Sequence, residues 1–173
     1  DHMAGLHRLP RAAVQAHELD VDAVRSWDAL RRHYGVRAAV ADALLDKLRR
    51  EFFYVPRSDA SGYADGALWE LGRTRVRALH MPGHTAGHCV LLVEPEGVAF
   101  LGDIDLTGFG PYYGDASSDL AAFRATLARV AAHFGPLKKP ARVLPAFHTV
   151  EPAQDGEREV TLRRSGDLSL VAT

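Results

Sequence analysis

Three histidines within nine residues, followed by two short apolar runs and an aspartate, constrain this chain more than any other feature. The run His80-Met81-Pro82-Gly83-His84-Thr85-Ala86-Gly87-His88 is punctuated by proline and glycine, so it reads as a loop. Residues 89–93 form an apolar strand, and Pro95-Glu96-Gly97 reverses the chain. A second apolar strand over 98–101 then delivers Asp103 at its C-terminal end. Two antiparallel neighbours thus carry an imidazole and a carboxylate to the same edge of one sheet. Neutral imidazole nitrogen and carboxylate oxygen are donors that a divalent metal such as zinc takes. A polar turn whose histidines cap backbone groups is the alternative that these residues leave open.

The surrounding composition narrows the setting. With 173 residues, 47% hydrophobic and 25% charged, the sequence is expected to form a single domain over 1–173 with its own core. A formal charge of −1 argues against a nucleic-acid surface driven by bulk electrostatics. No apolar run approaches the roughly 18 residues of a membrane span. Neither a nucleic acid nor a membrane is therefore an expected partner, and a small-molecule substrate stays open. The single cysteine, Cys89, excludes an internal disulfide and fits a reducing, cytoplasmic location. Its place in an apolar strand suits a buried structural thiol better than a nucleophile.

Taken in order, the chain turns helical at Asp20, a plausible N-cap for a helix carrying Val21, Val24, Trp27, Leu30 and Tyr34 up to Gly35. A second helix is expected to place Val36, Val40, Leu44, Leu48 and Phe52 on one stripe and to end before Pro56. That stripe suits core packing or a dimer face, so a homodimer stays open, while Phe52, Phe53 and Tyr54 are candidates for a lid. Asp65-Gly66 and Gly72 mark turns around the run 67–71, and 74–79 alternates polar with apolar as a half-exposed strand. Arg75 and Arg77 are then charges on its solvated face. The glycine-rich segment 108–115 must lie at the surface near Asp103. Its Tyr112 and Tyr113 either bond a substrate oxygen or pack. Ser117 or Ser118 is expected to cap a helix that buries Leu120, Phe123, Leu127, Val130 and Phe134. A short strand at 142–144 leads to His148, and 160–164 with 168–171 form a hairpin around Ser165-Gly166-Asp167.

The segment from Pro82 to His88 resembles the P-G-H-T-x-G-H motif of the metallo-β-lactamase superfamily, and Phe100-Leu101-Gly102-Asp103 resembles the strand ending in its bridging aspartate. Asp1-His2-Met3-Ala4-Gly5-Leu6 resembles the end of the family's H-x-H-x-D-H-x-x-G-L motif, as though the chain began within it; His-Met is also a common vector remnant. The resemblance implies a four-layer αβ/βα sandwich of the α/β class, incomplete at the N-terminus, with a helical insertion at about 20–55 near the active-site mouth. It also implies that His84 is a metal ligand and that His88 supports the loop without binding metal. Asp103 would bridge two ions and Asp1 would hold the second and orient a hydroxide, making these two the catalytic residues. His2 and His148 would complete the second ion's shell, although Phe147 departs from the small residue usual before that last histidine. The two histidines that normally join His84 are not in this sequence.

The function so implied is a zinc-dependent hydrolase using a metal-bound hydroxide on an ester, thioester or lactone, with two Zn²⁺ ions in the full-length protein. An iron-binding redox member of the same fold and a non-catalytic metal-binding module are the alternatives. The absence of a cysteine near Asp103 or His148 counts against cysteine-using lactamases. The segment 108–115 also lacks the basic pattern of the superfamily's glutathione thioesterases. Substrate identity lies in loops grafted on a shared scaffold, beyond what the sequence carries.

Overall fold

The computed structural model describes residues 3–95, 97–104, 113–134, 142–145, 160–162 and 170–172. Its centre is a five-stranded sheet in the order β3-β4-β5-β6-β7, formed by β3 (Leu68–Leu71), β4 (Thr74–His80), β5 (Cys89–Glu94), β6 (Val98–Gly102) and β7 (Arg142–Pro145). The first four strands run antiparallel in sequence order, because each connection is a short turn or the histidine loop. β6 and β7 pair in parallel, and the crossover between them contains helix α4 (Leu120–Phe134). The expected neighbours 89–93 and 98–101 are thus adjacent, with Leu91 opposite Phe100 and Val93 opposite Val98.

α4 covers one face of this sheet. Phe123 and Val130 pack with Val90, Ala99, Leu101, Ile104 and Met81, with Leu79, Leu92 and Leu127 at the margin. Fully burying one such large side chain contributes about 1.5–3 kcal/mol. Along β6 the pleat alternates, with Ala99 and Leu101 buried and Phe100 exposed. On β4 and β5, Arg75 and Arg77 reach Glu94 at 3.1 and 3.7 Å on the wet face, as solvated charges should.

The remaining elements are smaller. β1 (Gln15–His17) pairs in parallel with β2 (Ser61–Tyr63), and between them lie α1 (Val21–Arg25), α2 (Trp27–Tyr34) and α3 (Ala38–Phe52). β8 (Val160–Leu162) and β9 (Leu170–Ala172) form the expected terminal hairpin. Several details depart from expectation. The first helix breaks at Ser26, whose hydroxyl accepts from the Ala29 N–H and so restarts the helix as α2. Val40 of the supposed buried stripe is exposed, since α3 turns only Ala41 and Leu48 fully inward. Of the lid candidates, Tyr54 is buried with its ring edge-on to Trp27, and Phe53 is exposed. At α4 the cap is neither serine. Asp119 Oδ1 accepts from the Ala122 N–H, and Leu120 lies outside the core.

Candidate functional site

The loop between β4 and β5 brings His84 back over the end of β6. Its Nε2 lies 2.8 Å from Asp103 Oδ2, with the two side chains only 13% and 9% exposed. Asp103 follows Gly102, whose φ of +59° would strain any side chain, and whose added Cβ would lie 2.5 Å from His88 Nε2. Glycine there lets the strand turn Asp103 inward beneath the histidine loop.

His88 is the pin between the two. Its Nδ1 meets the Met81 carbonyl at 2.8 Å, so that nitrogen carries the proton. Its Nε2 then accepts the Asp103 backbone N–H at 3.1 Å. This fixes one neutral tautomer, and burial holds the pKa below the ordinary 6.5. A ring whose two nitrogens are both engaged with the backbone supports the loop's geometry.

α4 and the two residues before it also hold the loop. The Ser118 hydroxyl donates to the His84 carbonyl at 2.7 Å, the Asp119 N–H to the Gly83 carbonyl at 2.9 Å, and the buried Thr126 hydroxyl to the Pro82 carbonyl at 2.7 Å. Gly83, with φ +136°, lies so close to the helix that a Cβ would fall 2.3 Å from Phe123 Cα. Farther along the loop, Asp20 accepts from the Thr85 hydroxyl and, at 2.9 Å, from the Gly87 N–H. Asp20 does precede α1, but its carboxylate makes no cap bond because it is turned to the loop. Sequence reasoning misses Asp20, Ser118 and Thr126 as site residues; a helix cap and a buried helix face are the ordinary roles for such side chains.

Cys89 is partly buried, and burial pushes its thiol up to about 11, so it is no thiolate nucleophile near neutral pH. Tyr113 is exposed, its ring tilted 6.5 Å from that of Phe123. Asp1, His2, Tyr112 and His148 lie outside the described residues, as does Asp105. Among the described residues no group of three or more His, Cys, Asp or Glu side chains gathers as a metal cage. His84 and Asp103 are the two candidates that the described residues bring together.

No family model matches the chain. It is similar to an atrochrysone carboxyl ACP thioesterase of Emericella nidulans, 31% identical over 132 residues, 67% of this chain and 42% of that protein. A thioesterase of the same name from Claviceps purpurea is 35% identical over 75 residues, 43% of this chain and 23% of that protein. The chain spans less than half the length of these curated relatives. Among solved structures, a metallo-β-lactamase family protein from Thermus thermophilus is 26% identical with a TM-score of 0.51, covering 75% of this chain and 46% of that one. A superfamily protein from Sulfolobus tokodaii gives a TM-score of 0.54 at 20% identity over 77% and 54% of the two chains. A protein crystallised in a di-iron-bound form gives 0.54 at 22% over 84% and 63%. These last two share the fold. Through its histidine loop, the aspartate that meets it and the α/β fold that carries both, the chain belongs to the metallo-β-lactamase superfamily.

Proposed function

We propose that this chain carries part of the active site of a metal-dependent hydrolase acting on an acyl thioester. The observation behind this is the approach of His84 Nε2 to Asp103 Oδ2 across 2.8 Å, on a loop and a strand end that are both tied down. A nitrogen and an oxygen donor, both largely out of water, suit zinc or iron. Asp1, His2 and His148 would complete the shell, with Asp103 shared between two ions. When bound, such ions would supply Lewis acidity toward a carbonyl oxygen and lower the pKa of water so that it gives up a proton near neutral pH and becomes a nucleophile.

The chain's own residues contribute position. His88, neutral and doubly bonded, holds the Asp103 backbone, and Ser118 fixes the His84 carbonyl, so both donor atoms are aimed before substrate arrives. Among ester, thioester and lactone, the thioester is supported by the names of the curated relatives, which are acyl carrier protein thioesterases. A thiolate also leaves without a protonated partner, since its conjugate acid has a pKa of about 8.5. Hydrolysis then needs only a polarised carbonyl and a positioned nucleophile. Tyr112 and Tyr113 are proposed substrate contacts.

The test is a pair of variants assayed on acyl thioesters, aryl esters and lactones, with metal content measured by mass spectrometry. Asp103→Ala should lower thioester turnover by roughly 10²-fold or more and reduce metal stoichiometry, because it removes positioning and charge together. Asp105→Ala should do much less. Unchanged metal content and activity in both variants would sink the reading. Iron in place of zinc, with no turnover of any acyl substrate, would favour the redox alternative.

A further inference from the structure

We infer that Asp20 is a positioning residue for the proposed metal site, bracing residues 85–87 of the loop that carries His84. Resting on the metal-site reading above, the inference concerns a residue that touches no substrate. Both carboxylate oxygens are committed to the loop: Oδ2 accepts from the Thr85 hydroxyl and Oδ1 from the Gly87 N–H at 2.9 Å. The fit is close, since a Cβ on Gly87 would fall 2.7 Å from Asp20 Cγ. The same peptide unit is held at its other end, because the His80 ring meets the Ala86 carbonyl at 2.7 Å. His80 in turn stacks on His17, with ring centroids 4.3 Å apart and planes within 9°. The Asp20 N–H donates to the His17 carbonyl at 2.8 Å. The segment 17–20 thus grips residues 85–87 directly through Asp20 and indirectly through the stacked rings.

The consequence follows from where His84 sits. Thr126 of α4 and the two residues before the helix, Asp119 and Ser118, fix the carbonyls of Pro82, Gly83 and His84. Asp20 fixes the next residue and the one after Ala86. Along the chain, His84 thus stands between residues tied to the α4 region and residues tied to Asp20. Without Asp20 the Thr85 hydroxyl and the Gly87 N–H lose their shared partner, residues 85–87 keep the weaker hold of His80 on Ala86, and the imidazole loses part of its fixed aim toward Asp103. Loss of such outer partners typically lowers metal affinity 10–100-fold.

Zinc affinity, measured by competition against a chromophoric chelator, should fall about tenfold or more in Asp20→Ala. Thr85→Val, which removes one of the two bonds, should give a smaller loss. Asp20→Asn should restore most of the affinity, since its oxygen can accept from Gly87 while its amide donates to the Thr85 oxygen. Amide exchange supplies a readout independent of metal. The Gly83 N–H bonds the Thr85 carbonyl and does not touch Asp20, so faster exchange there in Asp20→Ala reports a loosened loop. Ala41→Gly, in the buried face of α3, is the control for general destabilisation. Wild-type affinity and unchanged Gly83 exchange in Asp20→Ala would overturn the inference, as would an equal loss of affinity in Ala41→Gly. A wild-type protein that binds no zinc or iron would instead overturn the metal-site reading, leaving Gly83 exchange to decide whether Asp20 braces the loop.

Discussion

Two glycines of the site are explained by the atom they lack. At Gly102 an alanine methyl would meet a ring nitrogen of His88 at a φ of +59°, and at Gly83 it would meet the backbone of Phe123. The second collision is with main chain, which cannot rotate away, so helix and loop would have to part. Gly83→Ala should therefore cost more than Gly102→Ala, and each at least about 1–3 kcal/mol of unfolding free energy in urea titrations. Equal, negligible effects would mean that the loop and α4 are not in the contact described. The motif glycines, His84 and Asp103 were legible in the sequence because turn residues and chemistry-bearing residues stand out in a linear reading. Asp20, Ser118 and Thr126 were not. An aspartate before a helix, a serine before another and a threonine on a buried face each have a commonplace local role. Only the fold shows that their oxygens are turned to a loop 65, 34 and 44 residues away.

Among the elements, β4, β5 and β6 follow directly from apolar alternation and turn residues, and the antiparallel pair β8 and β9 from two apolar runs in the sequence. β1 and β2 do not. Each has three residues, and the pair is parallel across 46 positions, so neither alternation nor a tight turn announces them. Yet β1 carries His17, buried against His80 and edge-on to Tyr63. Burial, then the like charge of His80, depresses the His17 pKa below 6.5, and the facing carboxylates of Asp20, Glu18 and Asp65 offset this only in part. Folded His17 therefore binds a proton less readily than the unfolded chain does. Between its folded pKa and 6.5 the unfolded state holds more protons, and stability rises with pH. This contribution is whole above about pH 6.5 and is lost as the pH falls through the folded value. Urea midpoints measured from pH 7.5 down to 5 should fall more steeply in the wild type than in His17→Asn, whose amide oxygen can still accept the Leu19 N–H. His88 titrates in the same direction in both proteins, so the difference between the two curves isolates His17. Parallel curves would show that the stacked pair bears no such strain.

In the whole molecule, the proposed metal site lies where three parts meet: the histidine loop after β4, the end of β6, and the start of α4. The sequence placed the first two together through two short antiparallel connections. It could not place the third, because the crossover from β6 to β7 brings α4 back over the sheet only after the fold is formed. An ion shared by His84 and Asp103 would link the loop to the strand and bind only the folded chain, since the unfolded chain does not hold these donors at one point. Mass action then requires that metal raise the unfolding temperature. At about a hundred times its dissociation constant, an ion adds about 2.7 kcal/mol. For a chain of this size each kcal/mol moves the midpoint by about 2–4 °C, so zinc or iron should raise it by roughly 5–11 °C, and a chelator should reverse the rise. Asp103→Ala should show no such response. Ala41→Gly should start from a lower midpoint yet shift by the same amount, because α3 takes no part in holding the ion. A metal-induced rise that survives in Asp103→Ala would place the ion elsewhere and remove the carboxylate at the end of β6 from the site.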